Sequence, residues 1–295
     1  MRLFDPSKPF YKGNLHMHTT VSDGQRTPDE AMDLYQRGGY DFIAITDHWK
    51  PSTERWHGSM LCLPGVEIDY NLPGQVIHIV GVGMGAGLMD RVKPRQSAQT
   101  GVDLINEEGG RAILAHPLWS LNTPEAVGSL RGLAAAEVYN AVSSFPWNAG
   151  RADASGILDV AAAQGHILRW TAADDTHFYN GEDRSAFIQV QADSLTREGI
   201  LAALDGGRFY ASRGPKILQV ELTEDRLIID CEPAARIMFA SDLPYVAGRV
   251  FEGEGLTHAE YIIQHKRRER FVRCAVYDGE DRQAWTSPMP TRVYR

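Results

Sequence analysis

Apolar and polar residues are arranged in two different ways along the chain. Over the first two-thirds, short apolar runs alternate with stretches of helical spacing. LHMHT (15–19) reads as a strand. TPDEAMDLYQRGG (27–39) reads as a helix, with Thr27 able to cap it, Pro28 suited to its first position and Gly38-Gly39 able to end it. FIAIT (42–46), LPGVEI (63–68) and QVIHIVGVG (75–83) are apolar strands, the last two joined by the turn-like NLPG (71–74). RAILAHP (111–117), AAAEVYN (134–140) and HILRWTAAD (166–174) repeat the pattern, separated by helix candidates such as SAQTGVDLINEEGG and ASGILDVAAAQG. Apolar strands alternating with helices predict an α/β fold with a parallel sheet or barrel.

The pattern changes near SRGPK (212–216). ILQVELT, RLIIDCE, RIMFAS, AEYIIQ and FVRCAVYD follow at short intervals with turn residues between them, which predicts a small all-β, sandwich-like module. The boundary is placed at Gly214, giving units 1–213 and 214–295. The basic run HKRRER (265–270) falls between two predicted strands and reads as a solvated hairpin turn.

Composition narrows the function classes. The 295 residues are 43% hydrophobic and 23% charged, as in an ordinary soluble protein, and the formal net charge is -8. That balance argues against a polyanion-binding surface and against action on long nucleic acid. It does not exclude a small anionic substrate, since bound metals reverse the local field. No run approaches the ~18 apolar residues of a membrane span. The first residues lack the apolar core of a signal peptide, so a cytoplasmic location is expected. Cys62, Cys231 and Cys274 are widely spaced, form no C-x-x-C pair and suit a reducing compartment.

The candidate chemistry lies at the ends of the predicted strands. His16 and His18 are two apart, so a strand turns both imidazoles to one face, where they suit a divalent metal. Asp23 follows in the SDG loop, where a plain turn is the competing explanation. Asp47 and His48 end FIAITDH; an unpaired charge there is costly to bury, so Asp47 is either a ligand or a carboxylate orienting one. Glu67 could bridge two metals or form a buried salt bridge. His78 could be a hydrogen-bonded core residue, whereas His116 ends its strand before Pro117. Asp175 and His177 repeat the i, i+2 spacing, which turns Asp174 to the opposite face. So many histidines and acids in one cleft would be costly without cations. An N/O donor set suits Zn, Mn or Fe, and its size exceeds the needs of one ion.

HMHTTVSDG, ITDH, GVE, HIVGVG, AHP and DTH, in that order between residues 13 and 213, resemble the PHP (polymerase and histidinol phosphatase) family. The resemblance implies a distorted (β/α)7 barrel with two or three divalent metals. It implies one metal on His16, His18, Glu67 and Asp175, a second on Glu67, His78 and His116, and a third on Asp23, His48 and His177. Asp47 then takes a supporting role beside His48, and Asp174 is a departure that adds charge. RFYASRGPKI and AVYDGEDRQAWTSPM resemble the tail of a bacterial PHP subgroup carrying a C-terminal β module. The family's commonest activity is phosphoester hydrolysis, which leads to the expectation of a metal-dependent phosphoesterase. It would cleave a small phosphate mono- or diester through a metal-bound hydroxide, and phosphate or a similar anion would occupy its site. Arg184 could clasp that phosphate or simply pair with Glu182 or Asp183. Asn140 could contact substrate or cap a turn, and Trp49, Trp119 and Trp147 could wall the pocket or pack in the core. Hydrolysis of a carbon ester, carbamate or amide is the alternative activity. A non-catalytic, metal-holding module is a further one.

Overall fold

The computed structural model describes residues 1–291. The first part of the chain gives β1 (Tyr11–Asn14), α1 (Pro28–Arg37), β2 (Phe42–Ala44), β3 (Arg55–His57), β4 (Met60–Leu63), β5 (Gly65–Leu72) and β6 (Gln75–Val82). There follow α2 (Leu88–Arg91), α3 (Ala98–Glu107), β7 (Arg111–Leu114), α4 (Pro124–Ser129), β8 (Ala135–Asn140), α5 (Ser155–Ala163), β9 (Trp170–Ala173), β10 (Phe187–Val190), α6 (Arg197–Gly206) and β11 (Phe209–Ser212). The last part is all strand: β12 (Ile217–Leu222), β13 (Arg226–Ser241), β14 (Val250–Ile262), β15 (Phe271–Tyr277), β16 (Gln283–Trp285) and β17 (Met289–Pro290).

Local chemistry explains several of these boundaries. The Thr27 side chain accepts from the Glu30 backbone and Glu30 reaches back to the Thr27 backbone, a reciprocal cap that starts α1 where the sequence places it. Gly207, at φ 66, closes α6 in a left-handed turn. The strand expected at 15–19 is shorter and earlier: β1 stops at Asn14. Residues 15–19 leave the sheet, tied by a single parallel bridge between Met17 and Thr176.

The mixed α/β fold pairs its strands into two sheets among the described residues. One runs β12-β13-β15-β16-β11-β10-β1-β2-β4-β3, with β14 on β13 and β17 on β15; the other runs β5-β6-β7-β8-β9. Strand pairing therefore does not close a barrel. Parallel pairing was expected throughout the first part, but β5, β6 and β7 are antiparallel. The Pro73-Gly74 turn between β5 and β6 is too short for the crossover a parallel pair needs. Apolar side chains between the two sheets form a buried core that includes Leu15, Phe42, Val80, Ile113 and Ile188.

The C-terminal strands have a core of their own, with Val220, Ile229, Phe239, Val272 and Cys274 at its centre. Two features of this region were not foreseen. Its sheet is hydrogen-bonded to the first part through β11 and β16, and the N-terminal residues lie on it, Leu3 N donating to Val220 O and Phe4 packing in its core. RLIIDCE and RIMFAS form one bulged sixteen-residue strand, β13. The HKRRER segment is the β14–β15 connection, where Arg267 donates to Tyr245 O while Glu269 is buried and accepts from Tyr261 Oη.

Candidate metal centre

Each candidate ligand is presented by a chain segment leaving, or lying within, a strand. Past β1, Met17 is buried and its N–H donates to Thr46 Oγ1. That fixes His16 and His18 on the other face, with Nε2 atoms 3.3 Å apart. His16 Nδ1 lies 2.8 Å from Glu137 Oε1, so its proton is on that side and a lone pair faces the cluster. Asp175 and His116 hold left-handed backbones, at φ 51 and 28. Non-glycine residues adopt such angles only where the surroundings enforce them, and such positions gather at functional sites. Asp23 lies on the SDG loop, and a Cβ on Gly24 would come within 2.4 Å of His18 O. Only glycine lets the loop fold this closely onto the ligand strand.

Glu67 is the hub. Its Oε2 lies 3.2 Å from His16 Nε2, 3.0 Å from His18 Nε2 and 3.2 Å from His48 Nδ1. Its Oε1 lies 2.5 Å from His78 Nδ1 and 3.3 Å from His116 Nε2. Asp175 Oδ1 is 3.2 Å from His16 Nε2 and 3.1 Å from His18 Nε2. Asp23 Oδ2 sits farther out, 3.5 Å from His177 Nε2 and 3.7 Å from His48 Nε2. Three sets of donor atoms converge closely enough to share an ion: His16, His18, Glu67 and Asp175; His18, Asp23, His48 and His177; and His48, Glu67 and His78. The first is the set the family resemblance implies. The second adds His18 to the implied set. The third has His48 where the resemblance implies His116, which still reaches Glu67.

A cation fits this cluster on two grounds. Glu67 Oε2, Asp175 Oδ1 and His48 Nδ1 are buried and have no hydrogen-bond partner, although such atoms normally have one. Their separations from neighbouring donors match the edges, about 3.4 Å, of a tetrahedron with metal–ligand bonds of about 2.1 Å. Electrostatics point the same way. Burial pulls His16 down, but Asp175, Glu67 and Glu137 outweigh it and hold it well above the usual imidazole range. His18 and His78 are likewise raised against burial by neighbouring carboxylates, and His177 is pushed up to about 9, chiefly by Asp23 and Asp175. Burial raises the acids, but the imidazoles hold Glu67 and Asp175 far below the carboxylate range. The cluster calls for positive charge at its centre.

The residues around the ligands are fully engaged. Asp47 accepts from Thr19 N, Thr19 Oγ1, Ser22 N and Ser22 Oγ and so braces the loop that carries Asp23. Asn140 is buried; its Nδ2 donates to Glu137 Oε2 at 2.8 Å and Asp175 Oδ2 at 3.1 Å, so it aims Asp175 and makes no contact with the cavity. The structure does not bring Arg184 to the cluster. Its Nε pairs with Asp183 and its stem lies over Gly38, at the end of α1. Asp174 does face away from Asp175. It accepts from Tyr35 Oη and the backbone N–H groups of Arg184, Ser185 and Ala186, and burial raises its pKa to about 7 against those donors.

One important carboxylate escapes the sequence reading, and a second, expected to pair with Arg184, has another role. Glu137 accepts from His16 Nδ1, His116 N and Asn140 Nδ2. Its signal was an acid at the middle of the apolar run AAAEVYN. Glu182 accepts from Thr176 Oγ1 and the backbone N–H groups of His177, Phe178, Tyr179 and Asn180, and so shapes the loop after His177.

The cluster floors a cavity of about 290 Å³ walled by Trp119, Val142, Trp147 and Phe178, with no lysine or arginine among its described lining residues. Trp49 lies elsewhere, its indole N–H donating to Asp69 Oδ1.

Among known proteins, no family model matches the chain. A 5'-3' exoribonuclease of Haemophilus influenzae is 27% identical over 136 residues, 44% of this chain and 48% of that protein, so the match spans about half of the relative's length. A structure from Bacteroides vulgatus, described as a two-domain protein containing a predicted PHP-like metal-dependent phosphoesterase, aligns over 96% of both chains at 16% identity, with a TM-score of 0.54. A putative metal-dependent phosphoesterase of Bifidobacterium adolescentis aligns over 67% of this chain and 98% of its own at 17% identity, with a TM-score of 0.47. No helix among the described residues is long and apolar enough to cross a membrane. The chain shares its fold with that two-domain protein over nearly its whole length.

Proposed function

We propose that this protein is a metal-dependent phosphoesterase that hydrolyses a small phosphate mono- or diester. The observation that carries the reading is the set of buried, unpartnered oxygens on Glu67 and Asp175 at the centre of six imidazoles. The description of the similar two-domain structure supports it. Two or three divalent ions, Zn, Mn or Fe, would be held by the three donor sets, with Glu67 common to two of them. Bound there, such ions would lower the pKa of a coordinated water towards ~7 and polarise phosphoryl oxygens. Glu137 and Asn140 keep His16 and Asp175 aimed inward. Asp47 and Glu182 hold the loops of Asp23 and His177. Trp119 and Val142 keep bulk water from one wall of the cavity.

The seven strands β1, β2 and β5 to β9 read best as the distorted (β/α)7 barrel of the family, followed from Gly214 by the β module. In support, single parallel bridges, Met17 to Thr176 and His48 to Glu67, lie at the two seams where the sheets are not otherwise paired. The three buried free thiols suit a cytoplasmic location.

A carbon ester, carbamate or amide is the second reading. It is favoured by the lack of any arginine or lysine among the described residues of the cavity wall to take phosphate charge. Rates on 4-nitrophenyl phosphate, bis(4-nitrophenyl) phosphate and 4-nitrophenyl acetate, measured on metal-loaded protein and His16→Ala, separate the two. The phosphoesterase reading expects metal-dependent phosphate release that His16→Ala abolishes. Phosphate-ester rates no higher than the variant's, alongside metal-dependent acetate cleavage, would transfer the assignment to carbon esters.

A further inference from the structure

The mouth of the cavity is built of aromatic rings that the hydrolytic chemistry does not require. Trp147 is 67% exposed and Phe178 39% exposed, although both are large apolar side chains that folding would ordinarily cover. Their ring centroids are 5.9 Å apart at an interplanar angle of 89°. Phe145 completes the group, 4.6 Å from Trp147 and 6.2 Å from Phe178. Phe178 in turn lies 6.2 Å from the ligand candidate His177. Deeper in the cavity, Trp119 stands edge-on to His116 at 5.0 Å and to His78 at 5.9 Å. The aromatic surface thus continues from solvent down to the metal cluster.

This mouth is braced. The Trp119 indole N–H donates to Asn148 Oδ1 at 3.1 Å, and Asn148 Nδ2 donates to Val142 O at 2.8 Å. Those bonds join the wall to the turn that carries Trp147. Ala149, at φ 58, then reverses the chain in the left-handed region. On the other side Glu182 collects the N–H groups of His177, Phe178 and Tyr179 and fixes the loop presenting Phe178. Rings held ready at a fixed spacing bind without a large ordering cost.

Charge completes the argument. Metals held at the floor would neutralise one small anionic group, but no lysine or arginine is among the described residues that line the cavity. A second anionic group on the ligand would meet only rings, Val142, Ser143 and Asn148 there. At about 290 Å³ the space is at the lower limit for small-molecule sites.

We infer that the site takes a small ester whose non-reacting part is a neutral, planar aromatic ring, held at the mouth by Trp147 and Phe178, face-on to one and edge-on to the other, and backed by Trp119. The inference shares with the phosphoesterase reading only the anchoring of the ligand's anionic end at the metals.

Binding of two inert probes to the metal-loaded chain tests it by calorimetry, independently of turnover. Phenylphosphonate and methylphosphonate carry the same anionic end and differ in the ring. We expect phenylphosphonate to bind at least tenfold more tightly. Trp147→Ala and Phe178→Ala should each reduce that preference to about threefold or less, with methylphosphonate affinity unchanged. Affinities of the two probes within twofold of each other would overturn the inference and leave the phosphoesterase reading standing. So would an undiminished preference in both variants. Failure of both probes to bind fully metal-loaded protein would count against the phosphoesterase reading instead. Phenylacetate against acetate then decides the aromatic inference on the same criterion.

Discussion

Two groups of buried acids surround the same cluster and do opposite things. Glu67 and Asp175 each leave an oxygen buried and without a hydrogen bond, surrounded by imidazoles. Asp174, Glu182, Asp47 and Glu137 are equally buried, yet each is wrapped in donors. Asp174 and Asp175 are adjacent in sequence and point to opposite faces. Burial alone therefore does not identify a metal ligand here. What distinguishes the two groups is whether the protein itself satisfies the carboxylate. The wrapped acids shape loops and aim ligands, while the unsatisfied ones require a cation.

Substitutions on either side of this divide should behave differently. The largest effect is expected from Glu67→Ala, which removes the carboxylate common to two of the three proposed ion sites. It should lower kcat by at least about a thousandfold, a loss of roughly 4 kcal/mol of transition-state stabilisation. The imidazoles that hold Glu67 ionised lose their partner, so the metal-free variant should melt slightly below wild type, well short of the loss expected for Asp174→Asn. A metal-free variant melting far below wild type would place Glu67 with the structural acids. Asp174→Asn should reverse the pattern. Its amide cannot accept from Tyr35 Oη and three backbone N–H groups as the carboxylate does, so we expect a stability loss of about 2–3 kcal/mol by denaturant titration. The folded fraction should keep its metal content; loss of metal without loss of stability would break the distinction. Glu137→Gln tests the boundary between the groups, because this acid is satisfied yet touches His16 and the His116 backbone. Metal affinity should fall about 10- to 100-fold in competition with a chelator. Arg184→Ala should do least. Its guanidinium pairs with Asp183 away from the cavity, so KM for a phosphate ester should change less than about threefold; a tenfold rise would return Arg184 to the substrate.

The same divide explains what could be read from the sequence. Histidines and acids at the ends of apolar runs were legible, because few structural roles use them there and six motifs recur in order. Thr27-Pro28 and the two glycines delimited α1 for purely local reasons. The short NLPG turn already implied an antiparallel β5–β6 pair, but the antiparallel β6–β7 pair was not legible, since a buried strand is apolar on both faces whichever way its neighbour runs. Which histidine groups with which carboxylate depends on side-chain rotation. His48 illustrates it, turning Nδ1 towards Glu67 and Nε2 towards Asp23. The participation of Met1–Phe4 in the C-terminal core depends on a contact more than two hundred residues away in sequence, between Leu3 and Val220.

The central claim is that the unsatisfied acids and imidazoles form a metal centre that the wrapped acids merely support. Metal content per chain, measured by mass spectrometry after loading and desalting, tests it most directly. The wild-type chain should retain two or three divalent ions, Glu67→Ala no more than one, and Asp174→Asn the wild-type number. Well under one ion per wild-type chain, or equal retention by wild type and Glu67→Ala, would contradict it.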